Sequence, residues 1–310
     1  MRIPERFAHP EPAARLLVPS ADGTRLNVEV HGQDGAPTVV LIHGWTCNTT
    51  FWAPVVKGLL AAAEPTRVVV YDQRGHGGSE APGRDGYGVP ILVEDLTAVL
   101  DAAVPAGERA VLAGHSMGGM TIMAAGGNDA VLSRAGGAVL CSTGFRALPG
   151  SSSVVPGLKR FPKANRAAHR ALLGSCLPIG PITPVSRAML KRTALGPKAD
   201  RQTQNVNARI IVACRPKSRA AWGHVLRELD VSDRVTRLDV PTSVLFGTKD
   251  RLTPAAAHAQ AIADALPDFV GLTTLSGLGH MTPLEAPDVV VSLIRARVLS
   301  MAQSSKRAQQ

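Results

Sequence analysis

The chain has 310 residues, which suits one large domain or a domain carrying an insertion. Its 45% hydrophobic content excludes wholesale disorder, and no uninterrupted apolar run of about 18 residues is present to cross a membrane. A net charge of +10 invites a polyanion-binding reading, which the distribution of that charge must then support.

The N-terminal stretch carries Arg2, Glu5, Arg6, Glu11, Arg15 and several prolines. It has no apolar core of a signal peptide, so the cytoplasm is the expected location. Arg25–His31 and Thr38–His43 are rich in Val and Leu and read as strands. In Phe51–Ala63, Trp52, Val55, Val56, Leu59 and Leu60 recur at helical spacing. Arg67–Tyr71 is a short β-branched run, the mark of a strand buried on both faces. Pro90–Val104 predicts a helix with Leu92, Leu96, Val99 and Leu100 on one face. Arg109–Ala113 predicts a strand, a Gly-flanked turn follows, and a small-residue helix starts at Met117. Gly137–Cys141 is the next strand.

Regularity then breaks. Leu148–Gly157 and Leu177–Pro184 are rich in Pro, Gly or Ser, and Lys163–Leu173 and Ser218–Leu229 read as short helices. The rhythm resumes with a strand at Thr242–Phe246, a helix at Ala255–Leu266, a strand at Val270–Leu275 and a helix at Asp288–Leu299. The polar tail Ala302–Gln310 reads as frayed. Alternating β and α elements imply a mostly parallel sheet flanked by helices on both faces. In such sheets the chemistry sits at the carboxyl ends of the strands.

The charge divides along the same line. Between Gly144 and Leu229, sixteen Lys and Arg face only Asp200 and Glu228, a balance of +14, and the rest of the chain sums to −4. A basic insertion in an acidic scaffold is the simplest reading. The four cysteines, Cys47, Cys141, Cys176 and Cys214, share no paired spacing and read as free thiols, with neither a disulfide framework nor a zinc site.

Three strand exits carry the chemistry. Gly114-His115-Ser116-Met117-Gly118 has the pattern G-x-S-x-G between a strand and a helix, where small residues let a sharp turn lift a serine hydroxyl above the sheet. A serine is a poor nucleophile without a base, and the base needs an orienting acid. Asp250 follows the Thr242–Phe246 strand, and His280 follows the Val270–Leu275 strand. The chain order is Ser, Asp, His.

With these residues in place, the sequence resembles the α/β-hydrolase family, in its lid-bearing subgroup, over roughly Ala14–Thr143 and Leu238–Leu299. The further motifs are His43-Gly44-Trp45 and Asp72-Gln73-Arg74-Gly75-His76-Gly77-Gly78-Ser79. The resemblance implies Ser116 as nucleophile, His280 as general base and then acid, and Asp250 as the group that holds the imidazole. It implies an oxyanion hole built from the backbone N–H groups of Trp45 and Met117. His43 then shapes the oxyanion loop, while Asp72, Arg74 and His76 stabilise a turn. His115 packs beneath the elbow or lines the pocket floor, Glu285 caps the last helix, and Cys47 is a small buried apolar group.

The resemblance places a helical lid after the sixth strand, so residues 144–236 form the lid and 1–143 with 237–310 the core. The elbow serine, in place of an aspartate, and the absence of a lid tyrosine disfavour epoxide hydrolase chemistry, and the same serine disfavours dehalogenation. The oxyanion loop Trp45-Thr46-Cys47-Asn48 departs from the Gly- and Pro-rich loop of carbon–carbon bond hydrolases.

The implied activity is hydrolysis of a carboxylic ester, lactone or thioester, with no cofactor or metal. Two alternatives stay open: a cofactor-free perhydrolase or haloperoxidase-like enzyme, and a triad-bearing receptor without turnover. The partner is a small ester or acyl substrate. The basic lid either attracts an anionic one or simply faces water. No nucleic-acid motif and no interleaved aromatics are present.

Overall fold

The structure, a computed structural model, describes residues 4–146, 148–152 and 160–308. Eight strands make one sheet: β1 (Ala14–Pro19), β2 (Arg25–Gly32), β3 (Thr38–Ile42), β4 (Arg67–Tyr71), β5 (Ala110–His115), β6 (Ala135–Cys141), β7 (Thr242–Gly247) and β8 (Phe269–Leu275). Their order is β1-β2-β4-β3-β5-β6-β7-β8. The β1–β2 and β2–β4 pairs are antiparallel, and every other pair is parallel.

The strands β3, β5, β6 and β7 are buried along their whole length. Parallel strands need crossover helices, and those helices cover both faces. The helices are α1 (Ala53–Leu60), α2 (Val89–Ala103), α3 (Met117–Ala124), α4 (Asp129–Leu132), α11 (Ala255–Ala265), α12 (Thr282–Glu285) and α13 (Pro287–Ala308) around the sheet. Between β6 and β7 lie α5 (Leu148–Ser151), α6 (Pro162–Leu173), α7 (Pro184–Ala194), α8 (Arg201–Ala213), α9 (Pro216–Glu228) and α10 (Ser232–Val235).

Strand periodicity divides the core in two. Along β3, Val40 and Ile42 enter the cluster that holds Leu92, Leu96 and Val99 of α2 and Met120 of α3. Val39 and Leu41 point the other way, onto Val55 and Leu59 of α1 and Val290 and Ile294 of α13. Each such fully buried aliphatic side chain stabilises the fold by about 1.5–3 kcal/mol over exposure.

Several sequence expectations are corrected. The edge strand β1 was not anticipated; its apolar run is only Leu16-Leu17-Val18, and of its residues Val18 alone is buried. The expected helix Phe51–Ala63 is a 3-10 turn at Thr49–Trp52 followed by the shorter α1, which fits Pro54 at its first turn. α7 and α8 lie where no helix was singled out. Their signals are local: Thr183 and Ser186 form a reciprocal capping box before α7, and Asp200 caps α8 by accepting from Thr203 N–H. The tail does not fray at Ala302, because α13 runs on to Ala308, with Met301 packed in the core. The expected irregular stretch Leu148–Gly157 begins with the single turn α5, and its residues 153–157 lie outside the described residues. No helix among the described residues is long and apolar enough to cross a membrane.

Candidate active site

Ser116 sits on a strained turn, with φ 52° and ψ −117°. Such a backbone costs about 1–3 kcal/mol and persists only where its surroundings enforce it. Here they do. A Cβ on Gly114 would lie 2.4 Å from the Gly118 carbonyl oxygen, and one on Gly118 would lie 2.0 Å from that of Ile42. Thr143 Oγ1 donates to the Ser116 carbonyl at 2.7 Å, and Ser116 N–H donates to the Cys141 carbonyl at 3.0 Å. Met117 is the first residue of α3, so its N–H has no intrahelical partner.

The loops after β7 and β8 bring Asp250 and His280 together. His280 Nδ1 lies 2.8 Å from Asp250 Oδ2. A carboxylate only accepts, so Nδ1 carries a proton, and in the neutral tautomer this leaves the lone pair on Nε2. The other carboxylate oxygen, Oδ1, accepts from Leu252 N–H at 2.8 Å and Thr253 N–H at 2.9 Å. Asp250 therefore closes a local turn and orients the histidine at once. Thr253 was missed from the sequence. Its Oγ1 donates to Asp250 Oδ2 at 2.9 Å and lies 3.2 Å from His280 Nδ1.

His115 is buried below the elbow, resolving one open alternative. Its Nε2 lies 2.9 Å from the His280 carbonyl, and its ring lies 4.5 Å from that of Phe51. Burial pushes its pKa well below the ordinary histidine value, so it is neutral and donates to that carbonyl.

The loop after β3 is built on two more neutral histidines. His43 Nδ1 donates to the Gly44 carbonyl at 2.8 Å, and its Nε2 accepts from Gln73 N–H at 3.0 Å. His76 Nε2 accepts from Thr46 N–H at 3.2 Å, holding a residue whose φ is 66°. Burial lowers His43 to about 4 and His76 to about 3, so both keep the lone pair these bonds need. Asp72 accepts from Thr49 N–H, Gly78 N–H and Asn27 Nδ2 at 2.8–2.9 Å. Arg74 is fully buried, paired with Asp95 at 2.6 Å and with Asp22 at 2.7 Å. These polar groups hold the loops. Cys47 is buried and its thiol is pushed up by desolvation, so it is inert.

Ser116, His280, Trp45 and Thr46 all line one cavity of about 650 Å³. The segment between β6 and β7 supplies much of the opposite wall, with Leu172, Leu173, Met189, Leu190 and Leu226. Among its described residues, the cations that reach this cavity are Arg192 and Arg219. The Arg219 guanidinium is engaged with the carbonyls of Ser175 and Leu177. Arg187, Lys191 and Arg201 line a separate groove with Arg192 and Arg251. Positions 189, 190, 193 and 194 of α7 thus turn to the cavity, while 187, 188 and 191 turn away.

The segment is fastened to the site at two places. On α9, the Trp222 indole donates to the Arg74 carbonyl at 3.0 Å, and the Trp45 indole donates to the Arg219 carbonyl at 2.9 Å. At the end of α7, the Ala194 carbonyl accepts from His280 N–H at 2.8 Å, and Arg251 donates to the Arg192 carbonyl. Glu285 bridges the same region, accepting from Gly196 N–H at 2.7 Å and Gly279 N–H at 3.0 Å. It is therefore a link between loops and does not cap the last helix as expected. Nothing in the local sequence reveals this, because Gly196 is remote in the chain.

The model of the alpha/beta hydrolase family matches residues 39–293. The chain belongs to that family, and it is an enzyme of the hydrolase type. It is 29% identical over 286 residues to a non-heme chloroperoxidase of Streptomyces lividans, covering 88% of this chain and 95% of that protein. The solved esterase from Rhodococcus sp. ECU1013 superposes with a TM-score of 0.72 at 26% identity, covering 93% of this chain and 99% of that one. The enol-lactonase from Burkholderia xenovorans LB400 superposes with a TM-score of 0.69 at 25% identity, covering 92% and 100%.

Proposed function

We propose that the protein is a serine hydrolase acting on a carboxylic ester, lactone or thioester with an apolar acyl group, through a Ser116–His280–Asp250 triad. One observation carries the reading: the Asp250-oriented His280 and the strained Ser116 open onto the same largely apolar cavity. Ser116 attacks the carbonyl while His280 Nε2 takes its proton. The oxyanion meets the N–H groups of Trp45 and Met117, donors worth about 3 kcal/mol each in comparable sites. His280 returns its proton to the leaving group, then activates water to release the acid from the acyl-enzyme.

Residues 144–236 act as the lid in this reading, with 1–143 and 237–310 as the core. The lid's charge lies mainly outside the cavity, so it favours an uncharged acyl group. Among the polar groups the lid offers is His169: it is buried in the cavity wall, and neither ring nitrogen has a partner among the described residues. A substrate oxygen would satisfy it. The four free cysteines suit a reducing compartment such as the cytoplasm.

The test is hydrolysis of p-nitrophenyl esters of graded chain length, alongside lactones and coenzyme A thioesters. Ser116→Ala should abolish turnover and fluorophosphonate labelling. Asp250→Asn should lower kcat by about 10⁴-fold through the wrong histidine tautomer. Undiminished hydrolysis by Ser116→Ala overturns the assignment.

The similarity to a chloroperoxidase over most of the chain favours a second reading, perhydrolysis by the same serine. Peroxide-dependent halogenation in acetate buffer, lost in Ser116→Ala, distinguishes it.

A further inference from the structure

His9, Glu29 and His31 form a cluster with no part in the proposed chemistry. Glu29 and His31 are two residues apart on β2, so both point to one face of the sheet, the face of their cross-strand neighbours Val70 and Val68. The N-terminal segment lays His9 over them, with the His9 and His31 rings 4.9 Å apart.

The donor atoms converge. His9 Nδ1 lies 3.5 Å from Glu29 Oε2, and His31 Nε2 lies 3.6 Å from the same oxygen. One donor atom from each of the three lies within 4.8 Å of the other two. Two ligands of a tetrahedral zinc, each about 2.0–2.2 Å from the metal, sit about 3.3–3.5 Å apart.

The proton inventory points the same way. His9 Nε2 lies 3.2 Å from the Thr49 carbonyl and donates to it. In the neutral ring that proton leaves a lone pair on Nδ1. That lone pair faces Glu29 Oε2 and, at 3.4 Å, the Pro10 carbonyl. Electron-rich atoms facing one another repel unless a proton or a metal cation lies between them. His31 is 1% exposed; its Nδ1 has no hydrogen-bond partner among the described residues, and its Nε2 faces Glu29 Oε2 at 3.6 Å, too long for a good hydrogen bond. Burying an imidazole so poorly satisfied costs free energy that a bound ion would recover. The Thr49 carbonyl is the outer partner that fixes the tautomer of a ligating histidine. Arg15, opposite Glu29 on β1, hydrogen-bonds to Glu11 at 2.8 Å and acts on the Glu29 carboxylate only through space.

The geometry points to a divalent-cation site formed by His9 Nδ1, Glu29 Oε2 and His31 Nε2. Two imidazoles and one carboxylate suit zinc or a neighbouring first-row ion, with water completing the set. His9 and Glu29 remain 18% and 16% exposed at their side chains, which leaves an entry path. The ion would clip the N-terminal segment to β2, and the Thr49 carbonyl would connect the clip to the loop that follows Trp45.

The test uses the full chain freed of metal by chelation and then titrated with Zn²⁺ alone. One equivalent should bind and raise Tm by several degrees. Co²⁺ should give the intense visible bands of a four-coordinate site. His9→Gln and Glu29→Gln, both at partly exposed positions, should lose the stoichiometric binding, the Tm rise and the Co²⁺ bands, with p-nitrophenyl ester hydrolysis retained. Far-ultraviolet circular dichroism verifies that both variants remain folded. Zinc binding that survives in both folded variants, or no Tm rise in the parent chain, overturns the proposal.

Discussion

At the residue scale, the elbow is governed by lack of space. Gly118 touches the end of β3 so closely that a single methyl group has no room. We expect Gly118→Ala to yield little folded protein, or a fold destabilised by more than the 1–3 kcal/mol typical of overpacking. A well-folded variant with full activity would show that the turn can move. This part of the site was legible from the sequence, because the G-x-S-x-G spacing reports local sterics. Asp250 and His280 were legible for a similar reason, since each directly follows a strand. Thr253 was not: it supports the pair through a hydroxyl, and threonines three residues beyond an aspartate are common in turns that have no catalytic partner.

At the element scale, α7 carries two jobs on its two faces. Its apolar side lines the cavity, and its C-terminal end binds the loops of Asp250 and His280. Glu285 holds this junction, and burial pushes its carboxyl above the ordinary glutamate range. Replacing it with Gln puts an amide donor against one of two N–H groups. An unsatisfied buried donor costs about 1–3 kcal/mol, so Glu285→Gln should lose about that much stability in urea. It should also lower kcat for esters while Ser116 still reacts with a fluorophosphonate. Unchanged stability would mean that water replaces the bridge. The interior strands and α2 were read correctly because buried apolar periodicity is strong there. α7 and α8 were not, since Lys, Arg, Gln and Asn dilute their apolar stripe and only their capping residues announce them.

Over the whole molecule, neutral buried histidines set the response to acid. Burial depresses His43, His76, His115 and His169 below the ordinary value. In the unfolded chain each takes up a proton near pH 6.5, while the folded chain stays neutral down to about pH 4 at His43 and His169. The unfolded state therefore binds more protons in this window, and stability falls as pH falls through it. The slope should be about 1.4 kcal/mol per pH unit for each histidine, read from urea midpoints measured in steps below neutrality. His169→Leu should make the dependence shallower by one histidine's share. An unchanged slope would mean that His169 protonates freely in the folded state.

The two fastenings of the segment between β6 and β7 have a consequence for grafting. A roof joined only at its ends could be exchanged for a relative's to change substrate range. Here α9 anchors the loops after β3 and β4, and the end of α7 anchors the loops of Asp250 and His280. A transplanted roof without equivalents of Trp222, the Ala194 carbonyl and Gly196 would leave Arg74, His280 and Glu285 without their contacts. Substrate range in this enzyme is thus best altered side chain by side chain on the cavity wall, because wholesale replacement of the segment would disturb the chemistry together with the fit.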